Sequence, residues 1–293
     1  MKRPTLPAIM GTVFTLIMAA IWIFPIYWAI ITSLKEEQDV LTKPPEWLPN
    51  PLSFQAYSFV ILKSPLLRWY LNSAIVGLGT TFLVILLGMM CAYAISQLNF
   101  PGKNFLYWLL LAGFMIPGQA LIVPLYRLVA STLKFDLNSV IPIFKEGIFA
   151  MGSNTYLGII LPQVISVVVI VVYKQFFDAV PREIRDSAAI DGAGSFRTLF
   201  SIYLPINWGI TWALAIVTFI GVWNSFFWPF LITTDTSMMT IPVGITQTQD
   251  AFGVRYARTM AIAILAGLPV VTFYLIFQKR VTEGIMATAG LKG

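Results

Sequence analysis

Histidine is absent from the 293 residues, and cysteine occurs once, at Cys91. Without histidine the commonest metal ligand and the commonest general base are gone, so a histidine zinc site or a Ser-His-Asp triad is excluded. One cysteine excludes an intrachain disulfide, and its apolar surroundings mark it as a packing residue. Charge is scarce as well: 11% of residues, against about a quarter in soluble domains. No G-x-x-x-x-G-K-[ST] occurs; the one Gly-Lys pair, Gly102-Lys103, lacks both the upstream glycine and the following Ser or Thr. The chain therefore has no P-loop for ATP, and no catalytic or metal-binding residue is assigned.

What is abundant is apolar surface, at 58% of residues and a mean hydropathy of +0.80. A soluble body of this size could not bury it, so the bilayer is the solvent. The net charge of +6 would suggest nucleic acid in a soluble protein. Here the bases flank the apolar runs, which speaks for membrane topology and against a nucleic-acid partner.

A helix needs about 20 apolar residues to cross the hydrocarbon. Six runs qualify, and they place spans at 9–33, 70–97, 104–128, 155–178, 207–230 and 259–279. The fold expected is all-α, with six transmembrane helices. The first run is too long for a signal peptide and reads as a retained anchor. Six spans put both termini on one side. That side carries ten Lys and Arg against five acids, and the other nine against eight, which predicts cytoplasmic termini. No Asp, Glu, Lys or Arg falls mid-span, which argues against a proton-driven pump. Two polar connections remain outside. The proline-rich 35–68 reads as an extended loop with short turns, and 233–258 as a second loop.

Between the fourth and fifth spans lies "REIRDSAAIDGAGSFRTLFSIYLP", from Arg182 to Pro205. Pro181 suits a helix start. Ile184, Ala188 and Ala189 recur at helical spacing beside Arg185 and Asp186, giving a small-residue face and a charged face. Gly192 and Gly194 permit a sharp turn. Phe196, Leu199, Phe200 and Tyr203 then form the stripe of a second short helix, and Pro205 marks entry into the next span. The spacing predicts a helix–turn–helix elbow across two span ends, built to dock.

This stretch resembles the cytoplasmic signature of ABC importer permeases, E-A-A, three residues, G, nine residues, I-x-L-P. It matches at Asp186-Ser187-Ala188, Gly192 and Ile202-Tyr203-Leu204-Pro205, with Asp for Glu and Ser for the first Ala. The resemblance covers nearly the whole chain and is closest to permeases of sugar importers of the maltose-transporter kind. It is carried further by "TSLK" (32–35), "PPEWLPNP" (44–51), "LNSAIVG" (71–77), "CAYAISQLNFPGK" (91–103), "MIPGQALIVPLYRL" (115–128), "WNSFFWPFLIT" (223–233), "MAIAILAGLPV" (260–270) and "VTEGIMATAGLKG" (281–293).

The resemblance implies the ABC type I importer transmembrane fold in a bacterial inner membrane. It divides the chain into an N-terminal helix with external loop (1–68), a core permease domain (69–282) containing a coupling helix at 182–198, and a cytoplasmic tail (283–293). It implies a coupling surface of Ile184, Arg185, Asp186, Ser187, Ala188, Asp191, Gly192, Ala193 and Phe196, docked in a groove on a separate ATPase. It implies that Gly290, Leu291, Lys292 and Gly293 reach between two such ATPases. The partners implied are two ATP-binding subunits, a second permease and an external solute-binding protein; ATP and Mg are bound by the ATPases, and this chain holds no cofactor.

For the solute path, the polar and aromatic residues within spans are Asn72, Gln119, Trp223 and Asn224, with Ser73 and Trp228 nearby. Each has a structural reading too, as interfacial anchor or packing residue. The outer bases Arg127, Lys134, Lys145, Arg255 and Arg258 permit an anionic oligosaccharide. Two other classes stand as alternatives: a sodium-coupled carrier, which would work alone, and an integral-membrane enzyme, which the missing His and mid-span acids disfavour.

Overall fold

The computed structural model describes residues 6–132, 152–247 and 255–288. Its elements are α1 (Leu6–Ser33), α2 (Gln55–Lys63), α3 (Leu66–Gln97), α4 (Lys103–Phe114), α5 (Ile122–Arg127), α6 (Tyr156–Ile160), α7 (Val167–Asp178), α8 (Arg182–Ile190), α9 (Ser195–Thr198), α10 (Leu204–Ile206), α11 (Trp208–Trp223), α12 (Phe227–Ile232), α13 (Ile241–Thr246) and α14 (Tyr256–Thr288). Among the described residues there is no strand.

Three helices are long and apolar enough to span by themselves: α1, α3 and α14. The other three expected spans are bent pairs. One turns by 92° between Phe114 and Gly118, one by 49° between Gln163 and Val167, and one by 85° between Ile206 and Trp208. Straight spans at 104–128 and 155–178 are thus corrected, while the third bend falls at the start of the span expected at 207–230, where the elbow enters it. At the first break the cause is local: Ile116 precedes Pro117, which disfavours helix, and Pro117 is extended (φ −62°, ψ 127°). At the second, Ser166 restarts the helix by accepting a hydrogen bond from the Val169 N–H at 3.4 Å. At the third, Asn207 turns the chain. Its side chain donates to the Tyr203 carbonyl at 2.8 Å, and its own carbonyl accepts the Thr211 hydroxyl at 2.9 Å. Polar groups freed by a break inside apolar surroundings must find such partners. The fifth span also stops short: α11 ends at Trp223, and α12 follows after a gap at 224–226.

The chain divides into two compact units. The first comprises 1–67 and 244–269. Here the outer connection is not only extended loop, because Gln55–Lys63 forms α2 and buries Ala56 and Val60 at helical spacing. The Ser33 and Tyr57 hydroxyls meet at 2.8 Å. Lys35 is buried, with its ammonium on the Glu46 carbonyl at 2.6 Å and 5.6 Å above the Trp28 ring. Arg258 stacks over Phe59 at 3.7 Å.

The second unit comprises 68–243 and 270–293, and α3 is its axis. Close packing rather than transfer from water holds helices together in lipid, so small residues matter at crossings. A Cβ at Gly88 would lie 2.7 Å from Val169 Cγ1, and one at Gly77 would lie 2.9 Å from Phe219. The main core gathers Met89, Ala92, Tyr93 and Ile95 of α3 with Val169, Ile170, Tyr173 and Phe177 of α7, and with Leu199 and Tyr203.

Candidate functional site

The elbow forms as the spacing predicts, with its parts rearranged. Pro181 stands just before α8 with extended backbone (φ −55°, ψ 135°) rather than inside the first turn. The helix closes with two hydrogen bonds, Gly192 N–H to the Ala189 carbonyl at 3.1 Å and Ala193 N–H to the Ala188 carbonyl at 2.9 Å. This is a Schellman closure, which requires a left-handed residue at the position Gly192 occupies, with φ +75°. A Cβ there would meet nothing within 4 Å. Gly192 is therefore needed for its backbone and not for space. Gly194 then starts α9, whose Thr198 N–H returns to the Gly194 carbonyl at 2.9 Å.

Arg185 anchors the elbow to the second unit's core. Its guanidinium donates to the carbonyl of Gln97, the last residue of α3, and pairs with Asp186 at 3.2 Å. The Gln97 amide donates in turn to the Phe177 carbonyl at 2.9 Å, so α3, α7 and α8 are tied at one point. The Ser187 hydroxyl is used locally, on the Glu183 carbonyl at 2.8 Å. Asp186 and Ser187, where the sequence departs from the importer signature, thus have partners within the chain. Beneath them Tyr203 is enclosed by aromatic rings, with centroids 5.1 Å from Tyr93 and 5.4 Å from Phe177.

Burial sorts the expected docking residues. Ala188, expected on the docking face, is only 5% exposed and packs inside this chain. Arg185 and Ala193 are half-buried. Asp186, Ser187, Asp191 and Gly192 are exposed, as are Ile184 and Phe196. The aromatic stripe splits in two, with Leu199 and Tyr203 buried and Phe196 and Phe200 outward. The sequence reading missed Ile190, which at 87% is the most exposed large apolar residue of the elbow. Its signal was its place one turn after Asp186, on the charged face. Gly290, Leu291, Lys292 and Gly293 lie outside the described residues.

Most of the residues named for the solute path have structural partners within the chain. Asn72 is fully buried and fully engaged. Its amide donates to the Ser237 and Met239 carbonyls at 2.8 and 2.9 Å, and its oxygen accepts the Tyr156 hydroxyl at 2.7 Å. With Trp69 donating to the Thr236 carbonyl at 2.9 Å and Ser73 accepting the Ile241 N–H at 2.8 Å, it clasps the 236–241 segment to α3. Trp223 is buried beside Tyr70 and Phe219. Trp228 donates to the Gly158 carbonyl at 3.2 Å. Gln119 and Asn224 are exposed, each at a helix break. Of the bases behind an anionic solute, Arg258 stacks on Phe59, and Lys134 and Lys145 lie outside the described residues.

The helix breaks instead meet around a different space. A cavity of about 640 Å³ is lined by Phe114 and Gly118 of the first break, Gln163 and Ser166 of the second, and Thr218 and Gly221 of α11. Non-helical backbone at membrane depth is tolerated where it lines a cavity of this kind. Among the described residues no group of His, Cys, Asp or Glu could hold a metal.

A helical protein with candidate membrane spans, two of them broken, and a polar elbow at the end of a third has the build of an importer permease. Over 92% of this chain and 95% of the other, the fold superposes on a bacterial ABC transporter involved in the import of the acidic polysaccharide alginate, with a TM-score of 0.76 at 17% identity. Residues 84–286 match the family of binding-protein-dependent transport system inner membrane components, and the chain belongs to it. Similar proteins include the arabinooligosaccharides transport system permease protein AraQ of Bacillus subtilis, 28% identical over 96% of this chain and 95% of that one. The diacetylchitobiose uptake system permease protein NgcG of Streptomyces coelicolor is 30% identical over 91% and 83%. The sn-glycerol-3-phosphate transport system permease protein UgpE of Yersinia enterocolitica is 29% identical over 90% of each. The chain is thus a transport-system permease subunit and not an enzyme, from a class of importer that works with an ATPase and a solute-binding protein.

Proposed function

We propose that this chain forms half of the membrane pathway for uptake of a sugar or oligosaccharide, beside a second, homologous permease. Two cytoplasmic subunits that bind ATP and Mg drive it, and an external binding protein supplies the solute. Both termini are cytoplasmic, which places the elbow on the ATPase side. The sugar assignment rests on the relatives named for arabinooligosaccharides and diacetylchitobiose.

One observation carries the coupling role. The elbow is internally over-determined, by the Schellman closure, the Arg185 anchor and the Tyr203 packing, yet turns Ile184, Ile190 and Phe196 to the outside. Rigid support beneath exposed apolar residues suits a surface that receives a push. Ile184, Ile190, Gly192 and Phe196 supply the docking contact. Asp186 and Asp191 add rim charges, contributing about 0–1 kcal/mol each. The tail from Gly290 to Gly293 extends the same contact between the ATPases.

The solute passes the cavity where the helix breaks converge, with Gln163, Ser166 and Thr218 as its polar groups. Asn72 and Trp223 serve as supports for this frame. The reading is tested by co-purifying the chain with its ATPase and partner permease and measuring ATP hydrolysis with a panel of binding-protein–sugar pairs. One pair should stimulate hydrolysis. Transport by the chain alone under a sodium gradient would overturn the proposal in favour of a secondary carrier.

A further inference from the structure

Three spans end together beside the elbow. α3 finishes at Gln97, α4 starts at Lys103, and α7 finishes at Asp178, four residues before Arg182 opens α8. Between them lies a hollow of about 320 Å³, with Lys103, Asn104, Tyr107, Lys174, Asp178 and Arg182 in its wall. Three cations thus face one carboxylate. Asp178 is already shared, accepting Lys174 Nζ at 2.6 Å and the Ser96 hydroxyl at 2.5 Å. Lys174 also lies 5.0 Å over the Tyr107 ring. Lys103 Nζ spends two donors on the Ser96 and Leu98 carbonyls, at 3.0 and 3.1 Å. Arg182 is exposed and makes no hydrogen bond or ion pair among the described residues. The site therefore holds uncompensated positive charge and unused donors.

Its position decides what would neutralise them. The hollow sits at the level where three membrane helices begin or end. On the same helix as Asn104 and Tyr107, Phe105, Trp108 and Leu109 are exposed. A basic hollow between helix ends, flanked by apolar side chains, suits a phosphate headgroup whose acyl chains stay in the bilayer. A free phosphate would use the cations but not the apolar flank.

We propose that this hollow binds the headgroup of an anionic phospholipid of the leaflet facing the ATPase, between Lys174 and Arg182. The bound lipid neutralises the charge surplus and braces the first turn of α8, so that elbow coupling depends on anionic lipid. The inference rests on the proposed orientation, with the elbow on the cytoplasmic side.

The assembled complex is purified and placed in nanodiscs of phosphatidylcholine with or without phosphatidylglycerol, and retained lipid is read by native mass spectrometry. The wild type should retain phosphatidylglycerol and couple ATP hydrolysis better with it. Arg182→Gln removes no internal bond, so the fold should persist, while retention falls by about tenfold once Lys174→Gln is added. Arg182→Lys should keep retention. Equal retention by wild type and the double variant overturns the proposal. So does equal stabilisation by inorganic phosphate, which would make the site one for a free anion. Arg182→Cys in a Cys91→Ser background separates the two claims. Labelling of intact cells by an impermeant thiol reagent refutes the orientation, whereas no labelling together with unchanged lipid retention in the Lys174→Gln/Arg182→Gln variant refutes the lipid site and leaves the orientation standing.

Discussion

At the scale of single residues, Gly192 and Arg185 carry the elbow by different means. Gly192 supplies a left-handed backbone in open space, so a side chain there is penalised by conformation alone. Gly192→Val should cost about 1–2 kcal/mol and loosen the turn, whereas Gly192→Asn, which tolerates that conformation, should cost less. Thermal unfolding of the purified complex and ATPase co-purification measure both, and an equal loss for the two variants would contradict the backbone argument. Arg185→Met leaves the Gln97 carbonyl without its charged donor and should destabilise by about 1–3 kcal/mol while uncoupling hydrolysis. Asp186→Ala, at an exposed pair, should change stability by less than about 1 kcal/mol. Outside the membrane, the Asp235 carboxyl is held below its ordinary range, first by the Ser237 backbone N–H at 2.8 Å. Its folded value lies below its unfolded one, so this contribution is complete above the ordinary carboxylate range and is lost as pH falls through the depressed value. Hydrogen-exchange protection factors across 233–241, taken against the intrinsic rate at each pH, should therefore fall in acid, and Asp235→Asn should flatten that profile.

At the scale of elements, the bends and the elbow base are where packing and polar satisfaction meet. Asn207 serves the bend between the elbow and α11 through two hydrogen bonds. Asn207→Leu should cost about 1–3 kcal/mol, read as lowered thermal stability in detergent, because the Tyr203 carbonyl loses its partner. Tyr203→Ala would hollow the aromatic knot beneath α8 and should cost about 3–5 kcal/mol. Both elements were only half legible in sequence. The apolar stripe at Phe196, Leu199, Phe200 and Tyr203 gave a helix, but not which side faced inward. Pro205 marked entry into the next span, and the chain bends there two residues later, at Asn207, where an amide can replace the missing backbone partners. The breaks at Ile116–Pro117 and at Val164–Ser166 interrupt runs of unbroken hydropathy, so a window average sees one straight span at each.

At the scale of the whole molecule, the chain is a subunit whose work comes from elsewhere. It has no P-loop and no mid-span ionisable group. On the proposed function, liposomes holding it alone should show no uptake under sodium or proton gradients, and transport should appear only with the ATPase and partner permease present. Reporter fusions at the two termini should both report cytoplasm.

Composition and hydropathy by themselves determined that this is a helical membrane protein with up to six spans, because solvation in lipid is set by residue type and run length. The signature from Asp186 to Pro205 likewise determined that an elbow forms and which family it resembles, because turn chemistry and helical spacing are local. Tertiary structure alone decided that Ala188 faces inward and Ile190 outward, since the face a short helix buries depends on what packs against it. It alone turned Asn72 and Trp223 into supports, because hydrogen bonds to 237–239 and stacking on Tyr70 join positions about 150 residues apart or more. And it alone brought the breaks at 114–118 and 163–167 to one cavity beside α11, since a bend's position is written in sequence but its neighbours are not.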